Sequence, residues 1–399
     1  MSKPRNRTFR YEVMISQDGR WVIRNVYGDE RMAVSRARAM VHTERMAEAI
    51  RVVEHRTAPN GFTTEKELLL IDRLDAYRRQ EFQVGKIDHV EACETYQDFF
   101  KPDARRAMEK LLRPYLGVQS LTPTEFLHIV SYHREIDRQG RLVEAGLHSV
   151  ARLQAGDLKI PTNERYEQLS AMSREIQVLA QDFAYEAKGL PKIDGQNFAA
   201  VATAIRDNYP ADKATFFTAA SVCMFLMQHR AMLDKLERLV TLLASSDKSG
   251  IAIMDAIFAD AISSPGLMRD LLGPQISLAD HISQCLKVVR GDYGADGTGA
   301  RFLTVISHLI SSNLCPEASE AIRLHLVRAF SSETPLDRRE TDPMDERRKL
   351  ERIAYEMVDD PSLSAERDQL DKAIDRRRRR LRSALLRQQG LEELADQAL

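Results

Sequence analysis

The sequence predicts a mainly α-helical protein, a multi-helix bundle with a small N-terminal ββαβ module and charged C-terminal helices. Hydrophobic residues make up 43% of the 399 residues, which is enough to build a substantial core. Glycine and proline total 32 residues, about 8% of the chain against a usual ~12%, and few helix breakers favour long helices. Strand-like alternation of apolar and polar residues is confined to the N-terminus, and helical spacing dominates elsewhere.

The N-terminal module is predicted over residues 1–57. Residues 9–16 alternate with a period of two, which is typical of a strand with one buried face. Asp18-Gly19 suits a tight turn, and residues 21–27 and 50–56 read as two further strands on either side of a helix capped by Asp29. Three strands and one helix are few for a stable domain. We therefore expect its apolar face to dock on the rest of the chain, or its edge to pair with another copy.

Residues 57–61 are interpreted as a linker, and residues 62–331 as a helical domain. Thr64 and Glu67 have the spacing of a capping box, so a helix is predicted from there to about Tyr77. The strongest helix start is the run from Thr122 to Glu125, which combines an N-cap residue, a proline and a glutamate in the favoured positions. Residues 211–243 are apolar and helical in pattern, and they fit either one long helix or two.

Residues 337–399 form a third predicted segment, charged and helical. A narrow apolar stripe in its longer helix, made by Leu370, Ile374, Leu381 and Leu385, favours a partner helix or the chain's own bundle. The same helix carries the candidate partner-binding residues Arg376, Arg377, Arg378, Arg379, Arg380 and Arg382. Arginine is always charged and pairs with phosphates or carboxylates, so this run needs an anionic neighbour. The alternative is a solvated helix whose own acidic residues partly neutralise the run.

One glycine-rich loop, residues 291–299, is a possible anion or metal site with Asp292 and Asp296 as its ligands. It lacks the residues of a phosphate-binding or EF-hand loop, so an ordinary loop between helices is the competing interpretation. The histidines form no metal-binding motif, and His281 is interpreted as a satisfied or solvated side chain. No motif assigns a catalytic residue, a metal or a cofactor.

The four cysteines, Cys93, Cys223, Cys285 and Cys315, are far apart and form no CxxC pair. They are predicted to be buried free thiols in a reducing compartment. The first ten residues contain no apolar stretch of the kind found in secretory signals, and no apolar run reaches the ~20 residues that span a membrane. We therefore expect a cytoplasmic protein without a transmembrane segment.

The formal net charge of −1 conceals a charge pattern. Residues 1–57 carry +5, residues 58–336 carry −5, and residues 337–390 carry +2. Basic ends on an acidic body favour docking, within the chain or between copies. The leading interpretation is a cytoplasmic regulatory or scaffold protein that acts through protein–protein contacts, including self-association, rather than an enzyme. The alternatives are a nucleic-acid-binding protein that uses the arginine helix, and a helical enzyme or ligand sensor whose site is assembled from distant residues.

Overall fold

A computed structural model describes residues 8–17, 20–43, 47, 49–57, 63–72, 82–138, 141–229, 231–273, 277–294, 300–337, 342–357 and 360–398. The chain divides into two compact units, Met1–Gln83 and Val84–Leu399. The first unit holds a small antiparallel sheet with one helix, and the second is helical. The predicted mainly α fold class is therefore confirmed.

The first unit begins with the expected strands and helix. Its elements are β1 (Thr8–Gln17), β2 (Arg20–Tyr27), α1 (Glu30–Thr43), β3 (Ala49–Thr57) and β4 (Thr63–Asp72). The sheet is antiparallel in the order β2-β1-β3-β4. The side chain of Asp29 accepts a 2.9 Å hydrogen bond from the Met32 N–H, as the predicted cap requires. The proposed turn at Asp18-Gly19 lies outside the described residues.

The helix predicted from Thr64 is wrong, because this segment forms the fourth strand, β4. Leu69 pairs with Val52 and Ile71 pairs with Ile50, so β4 extends the sheet beyond β3. A capping-box spacing is a local preference, whereas the free edge of β3 offers backbone partners and an apolar face to cover. Tertiary contacts of this kind routinely override local propensity.

The core of the first unit lies between the sheet and α1. Val13 pairs with Val52 and Ile15 with Ile50, and all four side chains are fully buried. They pack with the helix residues Ala33, Ala37 and Met40. The apolar residues of the period-two pattern in β1 and those of the helical pattern in α1 thus pack in the same layer.

The second unit contains sixteen α-helices in its described part. They are α2 (Pro102–Gln119), α3 (Pro123–His128), α4 (Val130–Arg138), α5 (Leu142–Leu158), α6 (Thr162–Glu186), α7 (Phe198–Asn208), α8 (Ala211–Leu226), α9 (Met232–Leu243), α10 (Lys248–Ser263), α11 (Leu267–Leu272), α12 (Leu278–Arg290), α13 (Ala300–Ser311), α14 (Pro316–Ser331), α15 (Pro343–Met357), α16 (Arg367–Gln388) and α17 (Glu392–Gln397). Short 3₁₀ helices occupy Tyr96–Phe100 and Pro361–Glu366. The apolar run over residues 211–243 is two helices, α8 and α9. None of the helices in the described ranges is long and apolar enough to cross a membrane.

The capping box at Thr122 forms as predicted. Its hydroxyl accepts the Glu125 N–H at 3.1 Å, and the Glu125 carboxylate accepts the Thr122 N–H at 3.0 Å. The buried Glu125 is also paired with Lys235 of α9 at 2.7 Å. A local helix-start signal therefore also fixes a long-range contact, because a buried carboxylate requires a partner.

Other buried carboxylates hold helix ends together inside the second unit. Asp255 of α10 accepts the N–H groups of Glu317 and Ala318 at the start of α14, at 2.9 and 2.8 Å. Burial raises the pKa of Asp255 to about 6. Asp260, one turn further along α10, pairs with Arg105 of α2 at 2.8 Å. These groups satisfy backbone and charged partners that would otherwise be buried without hydrogen bonds.

The C-terminal helices share the core of the second unit. Leu350 and Ile353 of α15 and Leu370, Ile374 and Leu381 of α16 are buried in the same apolar cluster as the central helix α8. Three of the four residues of the predicted apolar stripe therefore pack on the chain's own bundle, one of the two outcomes expected, and Leu385 is only partly buried. All four cysteines are free and buried, as predicted.

Candidate partner-binding surfaces

Strand β2 lies at one edge of the described sheet and exposes aliphatic side chains. Val22, Ile23 and Val26 are 42%, 46% and 47% exposed. Their neighbours in β1 are Ile15, Met14 and Glu12, in an antiparallel ladder whose register shifts between Val13 and Met14. An edge strand with accessible backbone groups and apolar side chains is a template for pairing with another strand.

The two faces of the sheet differ in chemistry. One face is covered by α1, whereas the other carries polar and aromatic side chains. On this second face the Arg51 guanidinium lies 4.2 Å from the centre of the Trp21 ring. Glu12 is within 2.7 Å of Arg10 and 3.2 Å of His55. These contacts fix side chains across three strands and keep β2 aligned with the rest of the sheet.

The opposite edge of the described sheet, β4, is different in composition. Its first half carries the exposed charged residues Glu65, Lys66 and Glu67, and its exposed aliphatic residue is Leu70. Charged side chains on an edge strand oppose pairing with another chain. The β2 edge exposes more aliphatic side chains than the β4 edge, although β2 also carries Arg20 and Arg24.

Within the predicted partner-binding run, Arg377 lies in the interior. It is 5% exposed, and its guanidinium donates to the carbonyls of Ser332 at 2.7 Å and Thr334 at 2.9 Å. It also pairs with Glu346 of α15 at 3.1 Å. The last carbonyls of a helix lack intrahelical partners. Arg377 donates hydrogen bonds to the carbonyls at and just beyond the end of α14. Its anionic and polar neighbours are thus provided by the chain itself.

Two more arginines of the run have acidic partners within the second unit. Arg378 forms a forked pair with Glu351 of α15, with distances of 3.0 and 2.7 Å. Arg380 lies 3.0 Å from Glu333. The Arg378 pair is half-exposed, so it contributes about 1 kcal/mol or less to stability.

The remaining arginines, Arg376, Arg379 and Arg382, are exposed and follow one another at intervals of three residues. This spacing places neighbouring members on adjoining parts of the outer surface of α16. Arg376 and Arg382 form no ion pair with any part of the chain that the structure describes. Arg376 and Arg382 are therefore accessible to an external anion, and Arg379 is exposed between them.

The structure describes only the first part of the glycine-rich loop, so the predicted site there can be compared with the structure only at Asp292. Asp292 is exposed, and its N–H donates to the Lys287 carbonyl at 3.0 Å just after α12. Asp296 lies outside the described residues. Gly291 ends α12 with φ of +84°, which only glycine adopts without strain. The described start of this loop is therefore a helix C-terminus.

A small apolar cavity of about 80 Å³ lies among α2, α5 and α6. Leu111, Leu147 and Ile176 are among its lining residues. The buried Nδ1 of His133, which also lines it, has no hydrogen-bond partner within the described part of the chain. An engineered cavity that binds benzene measures ~150 Å³. The cavity accordingly gives only slight support to a ligand sensor.

Sequence reasoning grouped Arg377 with the other arginines of the run and did not predict that its side chain alone is buried. The signal was present, because Arg377 stands seven residues after Leu370 and four before Leu381, on the same stripe. All three side chains are buried. A charged residue in register with an apolar stripe indicates a buried ion pair or cap rather than a surface site.

These features define a predominantly α-helical protein with an antiparallel N-terminal sheet, whose described edge strand β2 exposes aliphatic side chains. Compared with known protein-family models, curated protein sequences and solved structures, the chain matches none of them.

Proposed function

We propose that this protein is a regulatory or scaffold protein that acts through protein–protein contacts, and that it associates with a second copy through strand β2. The observation that carries the proposal is the row of half-exposed aliphatic residues, Val22, Ile23 and Val26, on an edge strand. Pairing of two such strands would form one continuous eight-stranded sheet. Completing the burial of each aliphatic side chain contributes about 1 kcal/mol.

A second copy also fits the charge pattern of β2. If the β2 strands of two copies pair antiparallel and their twofold axis passes between Ile23 and Arg24, Trp21 stands opposite Val26 of the partner subunit. Arg24 then stands opposite the partner's Ile23 rather than opposite another arginine. Aromatic–aliphatic cross-strand pairs are favourable, and like charges directly opposite each other are not. A symmetric dimer in this register would therefore not place like charges directly opposite each other.

Sedimentation velocity of the full chain over a range of concentrations tests the proposal. The wild type should sediment as a dimer whose fraction rises with concentration, and the double variant I23K/V26K should sediment as a monomer. Val178→Lys is the matched control, because Val178 is 56% exposed on α6 of the second unit and is not part of the sheet. This control should remain dimeric.

Circular dichroism establishes that the variants are folded. A wild type that remains monomeric at every concentration overturns the proposal, as does a double variant that still dimerises. The four free, buried thiols support a reducing, cytoplasmic setting for this function.

Nucleic-acid binding by α16 is a second candidate, favoured by the exposed arginines Arg376, Arg379 and Arg382. Fluorescence anisotropy with a labelled single strand tests it. Binding should weaken steeply with salt and be lost when all three are replaced by glutamine. Absence of binding at low salt, or equal binding by the triple variant, contradicts this candidate.

A further inference from the structure

Helices α12 and α14 bring together three side chains that bind metals, His281, Cys285 and His325. His281 and Cys285 are one turn apart on α12, and His325 is on α14. The Nε2 atoms of the two histidines are 2.7 Å apart. One donor atom from each of the three residues lies within 4.8 Å of the others. Two imidazoles and a thiol thus converge on one point.

The cluster is buried, and its burial determines the protonation of the three side chains when no metal is bound. Cys285 is fully buried, His281 is 7% exposed and His325 is half-buried. Burial lowers the pKa of both histidines, that of His325 to about 3, and raises the pKa of the Cys285 thiol to about 12. At neutral pH the imidazoles are therefore uncharged and share one hydrogen bond. The thiol is protonated and has no hydrogen-bond partner within the described residues.

The charges around the cluster select the kind of cation that it suits. Arg328, nearly one turn from His325, disfavours positive charge there, and the cluster of donor atoms found among the described residues includes no carboxylate. A divalent ion bound to one thiolate and two neutral imidazoles would leave a net charge of +1. Burying such a charge without a partner is costly. A monovalent ion bound to the same residues forms a neutral site.

We propose that His281, Cys285 and His325 form a binding site for Cu(I). Thiolate and imidazole ligands suit this soft ion. On binding, the Cys285 thiol loses its proton to solvent, a sulfur–copper bond forms, and the copper keeps its oxidation state. The Nε2 atoms of His281 and His325 complete a three-coordinate site.

The site needs only a small adjustment to accept the ion. Metal–nitrogen distances of ~2 Å with trigonal angles separate the two Nε2 atoms by about 3.5 Å. The observed distance is 2.7 Å. A side-chain rotation of His325, the least buried of the three, provides this opening and also an entry path from solvent.

Anaerobic competition between the full chain and a coloured Cu(I) chelator tests the proposal. Wild type should retain one Cu(I) per chain, Cys285→Ser should retain none, and excess Zn(II) should not displace the copper. Cys223→Ser is the matched control, because Cys223 is equally buried but lies outside the cluster. It should retain one Cu(I). Circular dichroism compares the folding of the two variants.

X-ray absorption of the loaded wild type provides evidence that does not depend on any variant. The expected shell is one sulfur and two imidazole nitrogens. A wild type that yields all its copper to the chelator, equal retention by Cys285→Ser, displacement by zinc, or a shell without sulfur overturns the proposal.

Discussion

The buried Arg377 and the partly buried Glu346 form an ion pair, with Nη1 3.1 Å from Oε1, that joins α16 to α15. The same guanidinium donates to the carbonyl groups just beyond α14. One arginine of a five-residue run is therefore an interior anchor for three helices. Its neighbour Arg376 projects into solvent, so two adjacent residues of the same type provide a direct comparison.

Arg377→Met should destabilise the protein by about 3 kcal/mol, because it leaves Glu346 without its charged partner and several carbonyl groups without their donor. Arg376→Met should change the free energy of unfolding by no more than about 0.5 kcal/mol. Urea denaturation followed by circular dichroism measures both. Equal stability of the two variants would show that the buried pair does not hold the C-terminal helices.

Gly291 should resist substitution for two reasons. Its φ of +84° strains any other residue, and an added Cβ would lie 2.3 Å from the Ser311 Cβ. We expect Gly291→Ala to cost about 2–4 kcal/mol, from the left-handed backbone and overpacking together. Gly390→Ala is the control, because Gly390 also has a positive φ, of +76°, but open space at its Cβ position.

Gly390→Ala should cost about 1–2 kcal/mol, from the backbone alone. The difference between the two midpoints of urea unfolding isolates the contact with Ser311. If Gly291→Ala is no more destabilising than Gly390→Ala, then α12 and α13 do not approach as closely as described.

Buried histidines should make the fold less stable in acid. Burial lowers the pKa of His128 and His133 to about 4 each, whereas the value in an unfolded chain is about 6.5. Between these values the unfolded chain binds protons that the folded chain does not. The stability that each neutral histidine contributes is therefore present above about pH 6.5 and is lost as the pH falls toward 4.

Thermal unfolding at pH 7.5 and pH 5 measures this effect. His128 packs against Phe100 and Phe216, with ring centroids 5.1 and 4.5 Å apart. The variant His128→Gln should lose less stability than wild type between the two pH values. An identical loss in variant and wild type would mean that His128 does not contribute to the acid sensitivity.

Much of the fold follows from local patterns. Alternation in β1 and the caps at Asp29 and Thr122 predicted elements that are present, because each pattern reports one face or one end of an element. The capping-box spacing at Thr64 failed because β3 offered that segment a stronger partner than its own backbone. Local signals are reliable where tertiary structure does not compete with them.

The candidate sites depended on distances that the sequence does not contain. His281 and Cys285 have the spacing of one helix face, but His325 is 44 residues beyond His281 and joins them only through the packing of α12 on α14. In the arginine run the apolar stripe marked Arg377 as buried, whereas its partners Ser332, Thr334 and Glu346 belong to other elements. Spacing identifies the face of a helix but not what covers that face.

Hydrogen exchange of the full chain, followed at the amides of the first unit at low and high protein concentration, tests the proposed self-association most directly. The outward N–H groups of an edge strand exchange freely in a monomer and are protected when a second strand pairs with them. Exchange in residues 20–27 should slow as concentration rises, while residues 63–72 at the other described edge stay unchanged. Exchange in residues 20–27 that does not depend on concentration would contradict association through β2.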